Sequence, residues 1–154
     1  MSQQTKISIA IADDHAMLRK GLIKLLTMTG NYLPVFDVDC GDEVIEELKN
    51  HKVPDVLILD VNMEGKDGFE TAKWVSMHYP HVRILALSMF SDETTILKMI
   101  HAGASGYLTK TSDPEKLQEA INTLYKKGFY LPESLSAKLF TGIKNNVLID
   151  HNRI

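Results

Sequence analysis

The sequence is poor in the residues that mark several classes of protein. Its single cysteine, Cys40, cannot form an internal disulfide, and its six histidines are scattered without the spacing of a zinc site. It has neither a secretory signal pattern nor an apolar run long enough to span a membrane. We therefore expect a cytoplasmic protein without structural zinc and without a membrane anchor.

Positive charge is not in excess either. Seventeen Lys and Arg against 20 Asp and Glu give a formal net charge of −3, unlike the basic surface of a nucleic-acid-binding domain. The 154 residues suffice for one domain of ordinary size with its own core and a short appendage. We expect no direct contact between this chain and nucleic acid.

What the sequence does contain is a repeated alternation of two patterns. A run rich in apolar and β-branched residues is followed by a segment with apolar residues at helical spacing, and this pair occurs five times. The first helix is expected to place Leu18, Leu22 and Leu25 on one face and to end at Gly30. Pro34 lies in the second strand pattern and argues for an edge position, because proline cannot donate to a ladder.

The helix-start signals agree with this division. Asp67, followed three residues later by Glu70, predicts a helix start after the third strand, and Asp113 with Pro114 predicts another after the fifth. The fourth helix is expected to carry its apolar stripe as far as Gly103. Alternating strands and helices of this kind predict an α/β fold with a parallel sheet covered by helices on both faces.

For five such strands the flavodoxin-like doubly wound order 2-1-3-4-5 is expected, with the proline-containing strand at an edge. Right-handed crossovers then leave a crevice at the carboxyl ends of strands 1 and 3. Five polar residues follow or end strands at that edge: Asp13, Asp14, Asp60, Ser88 and Lys110. Three carboxylates so close together repel one another unless a cation neutralises them, and Mg²⁺ prefers such oxygen ligands.

This arrangement indicates a site where a carboxylate attacks a phosphoryl group. Asp60, at the middle of the sheet, is the expected nucleophile. Asp14 and the backbone carbonyl of Asn62 are expected to complete the metal site, and Asp13 to hold the metal through water. Lys110 is expected to pair with the phosphoryl oxygens.

The same residues resemble a known family. "DDH" after the first strand, "LILDVNM" and "DG" around the third, "ALS" ending the fourth and "GYLTK" at the fifth are, in order, the landmarks of receiver domains of two-component response regulators. The likeness covers roughly residues 5 to 128, and "LSMFSDE" and "AGASGYLTK" are similar to the NarL/FixJ (LuxR-type) subfamily.

The resemblance implies that Asp60 accepts a phosphoryl group from a phosphohistidine on a sensor histidine kinase, with Mg²⁺ as cofactor. It implies that Ser88 and Lys110 bind the phosphoryl group and that Tyr107 is the switch aromatic, shifting inward with Ser88. It further implies a phosphorylation-dependent homodimer and a signalling switch rather than an enzyme. The positions expected to modulate phosphate lifetime are Asn62, Met89 and Phe90.

The chain departs from the family pattern in two places. Glu64 stands where the family usually has proline, and Phe90 replaces a residue that is often polar. We expect a receiver over residues 1–128 and, over 129–154, a linker helix opened by Pro132 and a polar tail. The tail would lead to a helix-turn-helix domain for DNA binding and transcription regulation; the alternative is a stand-alone receiver that acts by protein–protein contacts.

Other functions stay open at this point. A phosphohydrolase with an aspartyl-phosphate intermediate has a similar site, but it needs an acid where this chain has Asn62. A flavin or nucleotide binder should carry glycines or hydroxyls, not carboxylates, after the first strand. A receiver that works without phosphate is disfavoured by the complete acidic set. His15 could gate the site, although a solvent-facing residue in the first helical turn is the plainer interpretation.

Overall fold

The computed structural model describes residues 5–63, 67–89 and 92–131. These ranges form five strands and five helices in alternation: β1 (Ile7–Ala12), α1 (Ala16–Thr29), β2 (Tyr32–Val38), α2 (Gly41–Lys49), β3 (Val56–Asp60), α3 (Gly68–His78), β4 (Arg83–Ser88), α4 (Glu93–His101), β5 (Gly106–Thr109) and α5 (Pro114–Lys127). No helix in this part of the chain has the length and apolar character needed to cross a membrane.

The strands form one parallel sheet in the order β2-β1-β3-β4-β5, which confirms the expected order. Pro34 lies in the edge strand β2, and the pairing register with β1 shifts beside it, between Ile9 and Ala10. An edge strand tolerates proline, which has no N–H to donate, so the position of Pro34 agrees with the prediction from the sequence.

The sheet divides the core into two layers. Side chains of β3 alternate between them: Leu57 and Leu59 pack with α2, α3 and α4, whereas Val56 and Ile58 pack with α1 and α5. All four are fully buried. A strand buried on both faces needs an unbroken apolar run, which is why the third strand lacks polar residues until Asp60.

Most of the expected helix ends are confirmed. Asp67 Oδ1 accepts a hydrogen bond of 2.9 Å from the backbone N–H of Glu70 and so caps α3. Gly30 ends α1 in the left-handed conformation, with φ of 78°. Helix α4 ends at His101, so the prediction that Gly103 belongs to its stripe is wrong; its φ of 117° is incompatible with a helix.

The buried face of α1 also differs from the prediction. Leu26 is its one fully buried residue, and Leu22 and Ile23 pack beside it, while Leu18 and Leu25 are only half-buried. At 100° per residue, Leu22, Ile23 and Leu26 share one side of the helix, and Leu18 and Leu25 flank it. The spacing rule found the helix but misplaced the centre of its apolar stripe.

After α5 the chain turns back along β5. Tyr130 forms a parallel bridge with Gly106; its carbonyl accepts a 3.1 Å hydrogen bond from the N–H of Tyr107, and its own N–H donates to the carbonyl of Ser105 at 3.0 Å. The outer side of β5 is therefore occupied here. The helix predicted from Pro132 lies outside the described residues, and the division at residue 128 stays a prediction.

Helix α3 begins in close contact with the end of β3. A Cβ on Gly68 would stand 2.5 Å from the carbonyl oxygen of Asp60 and 2.7 Å from Cα of Val61. We expect Gly68→Ala to lower the free energy of unfolding by about 1–3 kcal/mol, since backbone atoms must move apart. Urea denaturation monitored by circular dichroism measures this loss.

Gly21 is the matched control for that substitution. It lies exposed in α1, and a Cβ there would meet nothing within 4 Å. Gly21→Ala should therefore raise the free energy of unfolding by about 0.5–1 kcal/mol, the usual gain in helix propensity. Equal effects of the two substitutions would contradict the tight approach at Gly68.

Candidate functional site

Four of the predicted site residues meet at the carboxyl edge of the sheet. Asp13 directly follows β1, Asp60 ends β3, Ser88 ends β4 and Lys110 directly follows β5. Asp13 and Ser88 are fully buried, Asp60 is 1% exposed, and the side chain of Lys110 is 3% exposed. The crevice predicted from the strand order thus contains charged groups with little access to water.

Lys110 lies between two of the carboxylates. Its Nζ is 3.0 Å from Asp13 Oδ2 and 3.0 Å from Asp60 Oδ2, and it donates a hydrogen bond of 3.3 Å to Asp13 Oδ1. Removing two carboxylates and an ammonium from water costs several kcal/mol per ion, on the order of the attraction between them. Such an arrangement is therefore held by the surrounding fold rather than by the ion pairs.

The protonation of Asp60 is shifted by this environment. Burial raises its pKa from 3.8 to about 6; contact with Lys110 opposes the shift, and the charge of Asp13 adds to it. Asp60 Oδ1 accepts a 3.1 Å hydrogen bond from the backbone N–H of Asn62, which also favours the charged form. At neutral pH the side chain is largely a carboxylate, but a poorly solvated one.

The donor set fits a divalent cation that prefers oxygen. One carboxylate oxygen each of Asp13, Asp14 and Asp60 can lie within 4.8 Å of the others. Among the described residues, Asp13 Oδ2 and Asp60 Oδ2 have no hydrogen-bond partner besides the ammonium of Lys110, which lies 3.0 Å from each. Three carboxylates against one ammonium leave two negative charges in excess, which a Mg²⁺ ion would neutralise. Asn62 is exposed, and its carbonyl remains a predicted ligand.

Two further residues lie at this edge: His15, for which the sequence left a gating role open, and Arg19, which the sequence analysis did not single out. His15 is the N-cap of α1, and its Nδ1 lies 3.0 Å from Asp13 Oδ1 and 2.9 Å from Lys110 Nζ. Arg19 donates from Nη1 to the carbonyl oxygen of Asp13 at 2.6 Å and from Nε to Asp37 Oδ2 at 3.0 Å. The four-residue spacing of His15 and Arg19, one helical turn, was the available signal.

The predicted switch pair is connected. Tyr107 is 2% exposed, its hydroxyl hydrogen-bonds with the side chain of Ser88, and burial raises its pKa. The ring of Tyr107 is thus already buried, in the inward position that the resemblance leads us to expect only after phosphorylation. Met89 is 54% exposed, while Glu64 and Phe90 lie outside the described residues.

Comparison with known proteins identifies this arrangement. Residues 9–122 match the family described as the response regulator receiver domain. The chain is 33% identical over 136 residues to the transcriptional regulatory protein DegU of Brevibacillus brevis, covering 88% of this chain and 57% of DegU. It is 34% identical over 145 residues to the oxygen regulatory protein NreC of Staphylococcus epidermidis, covering 94% of this chain and 66% of NreC. The chain thus spans only part of the length of these relatives.

Solved structures agree. The receiver domain of a NarL response regulator from Mycobacterium tuberculosis superposes with a TM-score of 0.74 at 30% identity, covering 79% of this chain and 98% of that one. The isolated receiver domain of RcsB from Salmonella enterica serovar Typhimurium was determined with the phosphomimetic BeF₃⁻. It superposes with a TM-score of 0.76 at 26% identity, covering 86% of this chain and 98% of that one. The chain therefore belongs to the response regulator receiver domains of NarL- and LuxR-type two-component systems.

Proposed function

We propose that this receiver is a phosphoacceptor switch in which Asp60 takes a phosphoryl group from a phosphohistidine of a sensor histidine kinase. The observation that carries the proposal is the state of Asp60: a carboxylate buried at the carboxyl edge between β1 and β3, with Oδ1 hydrogen-bonded to the N–H of Asn62 and Oδ2 in contact with the ammonium of Lys110 at 3.0 Å. Burial away from water keeps the carboxylate of Asp60 reactive. The hydrogen bond that fixes Oδ1 also orients Oδ2 toward an incoming phosphoryl group.

In the proposed step an oxygen of Asp60 forms a bond to phosphorus while the bond from phosphorus to the donor imidazole nitrogen breaks. The imidazole leaves with the electron pair of that bond, and Asp60 becomes an acyl phosphate. Mg²⁺, when bound by Asp13, Asp14, Asp60 and the carbonyl of Asn62, supplies charge neutralisation for the phosphoryl oxygens. Lys110 is already in contact with Asp60 and would pair with the phosphoryl oxygens.

Ser88 and Tyr107 are the proposed switch. A serine hydroxyl has one hydrogen to donate. If Ser88 donates it to a phosphoryl oxygen, its hydrogen bond with Tyr107 survives only with the tyrosine as donor. Phosphorylation would thus fix the direction of a hydrogen bond that the structure already contains, and would bias the backbone of β5 and its neighbours α4 and α5.

The output proposed is phosphorylation-dependent homodimerisation coupled to transcription, because DegU is named a transcriptional regulatory protein and NreC an oxygen regulatory protein. Because this chain has a net charge of −3, we propose that DNA contact is made through a helix-turn-helix domain rather than through the receiver.

Receiver domains are generally signalling switches, and this chain is proposed to catalyse no more than its own phosphorylation and dephosphorylation. A phosphohydrolase is disfavoured since Asn62 cannot act as a general acid.

Acetyl phosphate with Mg²⁺ tests the proposal. Intact-mass spectrometry should show the gain of one phosphoryl group, and addition of EDTA before the reagent should abolish it. Reduction with borohydride, which converts an aspartyl phosphate to homoserine, should place the label at Asp60. Asp60→Asn should gain nothing, because its amide cannot attack phosphorus.

Asp113→Asn is the matched control. This aspartate likewise follows a strand, as the N-cap of α5 after β5, but it is exposed, and its side chain caps no backbone N–H. The variant should label like the unmodified protein. Labelling of Asp60→Asn at the same rate would refute the assignment, and sustained release of phosphate from simple esters would favour the phosphohydrolase instead.

A further inference from the structure

His15 is held over the carboxylate cluster by its own backbone. Its N–H donates to Asp13 Oδ1 at 2.8 Å, which fixes the start of the loop. Its ring Nδ1 lies 3.0 Å from that same oxygen and 3.5 Å from Asp14 Oδ1. The side chain is 60% exposed, so the ring reaches the cluster from the solvent side.

Two contacts of His15 Nδ1 place opposite requirements on the ring hydrogen. Nζ of Lys110 lies 2.9 Å from Nδ1 of His15. An ammonium group has three hydrogens and no lone pair, so it can only donate. In this contact Nδ1 accepts, which requires the ring hydrogen on Nε2, whereas the 3.0 Å contact between Nδ1 and Asp13 Oδ1 requires a hydrogen on Nδ1. With the hydrogen on Nε2, the ring presents at Nδ1 the lone pair that binds metals.

The Lys110 ammonium also shows what surrounds a cation at this point. Within 3.3 Å it meets four acceptor atoms: Asp13 Oδ1, Asp13 Oδ2, Asp60 Oδ2 and His15 Nδ1. Two of the oxygens, Asp13 Oδ2 and Asp60 Oδ2, are buried and have no partner besides Lys110 among the described residues. One donor atom from each of Asp13, Asp14, His15 and Asp60 lies within 4.8 Å of the other three. The cluster is therefore an oxygen site with one nitrogen added.

We propose that His15 is a ligand of the divalent cation through Nδ1 and shifts the preference of the site from Mg²⁺ toward transition metals such as Mn²⁺ and Co²⁺. Imidazole binds transition metals well, whereas Mg²⁺ retains oxygen ligands and water. His15 thus adds affinity for Co²⁺ without adding affinity for Mg²⁺. The inference rests on the proposed function only in that both use the same cation site.

Calorimetric titration of Co²⁺ and of Mg²⁺ into the whole untagged chain tests this. All proteins carry Cys40→Ser, because Asp39, Cys40 and Glu43 form a second group of potential ligands. His15→Ala should weaken Co²⁺ binding about tenfold or more and change Mg²⁺ binding less than about twofold. His101→Ala, which removes an exposed histidine at the end of α4, should change neither.

Pulsed electron paramagnetic resonance of bound Mn²⁺ gives a direct reading of the ligand. The spectrum should show coupling to a bonded nitrogen in the Cys40→Ser protein and in His101→Ala, and the coupling should vanish in His15→Ala. Unchanged Mg²⁺ affinity in His15→Ala shows that the site is still folded. Weakening of Co²⁺ and Mg²⁺ by the same factor would mean that His15 only positions Asp13, and would overturn the proposal.

The two proposals fail in different ways. If Mg²⁺ binds but His15→Ala leaves Co²⁺ affinity and the nitrogen coupling unchanged, His15 is not a ligand and the phosphoacceptor proposal stands. If no protein binds Mg²⁺, or if Asp60→Asn leaves binding of both metals intact, the cation site itself is wrong and both proposals fail.

Discussion

Replacing Lys110 with methionine is expected to lower the free energy of unfolding by about 3–5 kcal/mol at neutral pH in EDTA, because it leaves two buried carboxylates without their cation. The side chain is 3% exposed and lies 3.0 Å from both Asp13 Oδ2 and Asp60 Oδ2. Methionine keeps much of the length of lysine, so the loss reports the charge rather than a cavity. Urea denaturation monitored by circular dichroism measures it.

Lys52→Met is the matched control. Lys52 also forms an ion pair of 3.0 Å, with Glu47, but its side chain is 54% exposed. Solvent screens such a pair, so the substitution should change stability by less than about 1 kcal/mol. The two lysines form ion pairs of equal length, yet the loss in the free energy of unfolding should differ several-fold between the two substitutions, because only Lys110 is buried.

A double-mutant cycle sharpens the prediction. Adding Asp60→Asn to Lys110→Met removes one of the uncompensated charges and should restore a large part of the lost stability. Mg²⁺ should likewise stabilise Lys110→Met more than the unmodified protein, since the variant carries one more unneutralised negative charge. A Lys110→Met protein as stable as the unmodified one would contradict the buried ion pairs described here.

Asp60→Asn alone is expected to stabilise the protein, and the gain should depend on pH. The pKa of Asp60 is raised from 3.8 to about 6, so the folded state binds its proton more tightly than the unfolded state does. Ionisation of Asp60 therefore costs stability as the pH rises from about 4 to about 7. A shift of about two pKa units corresponds to about 3 kcal/mol at the plateau.

Because the stabilisation by Asp60→Asn follows the ionisation of Asp60, it should have a defined pH dependence. In EDTA the stability difference between Asp60→Asn and the unmodified protein should be small near pH 4, grow through pH 6 and level off above about pH 7. The favourable contact with Lys110 is already included in the pKa of about 6, so it needs no further correction. Asp113→Asn, which changes an exposed carboxylate, should show no comparable rise. A gain independent of pH would mean that the pKa of Asp60 is not raised.

The strand ends could be predicted from the sequence because each rests on a local rule. The apolar run Val56 to Leu59 is short, contains β-branched residues and follows Pro54, which favours a strand buried on both faces and places the first polar residue after it at the sheet edge. The strand order followed from Pro34 and the handedness of crossovers. Together these rules predict that Asp13, Asp60, Ser88 and Lys110 lie on one side of the molecule.

What the sequence could not provide depends on side-chain packing. His15 has the pattern of an exposed helix start, and only the turn after β1 brings its ring to Lys110. The depth of Leu26 in the core depends on the rotation of α1 about its own axis against the sheet. A periodic apolar pattern predicts which side of the helix is buried, but not which residue lies at the centre of that side. The burial of Tyr107 and its hydrogen bond with Ser88 likewise depend on how β4, β5 and the helices beside them pack.

The two edges of the sheet have a consequence for partner recognition. On one side Pro34 removes a donor from β2, and on the other Tyr130 takes the backbone groups of Ser105 and Tyr107 that an added strand would need. A partner that binds by β-augmentation requires a row of free main-chain groups. Recognition by a kinase or a second receiver should therefore use side chains on helices and loops, so specificity can change by surface substitutions that leave the sheet intact.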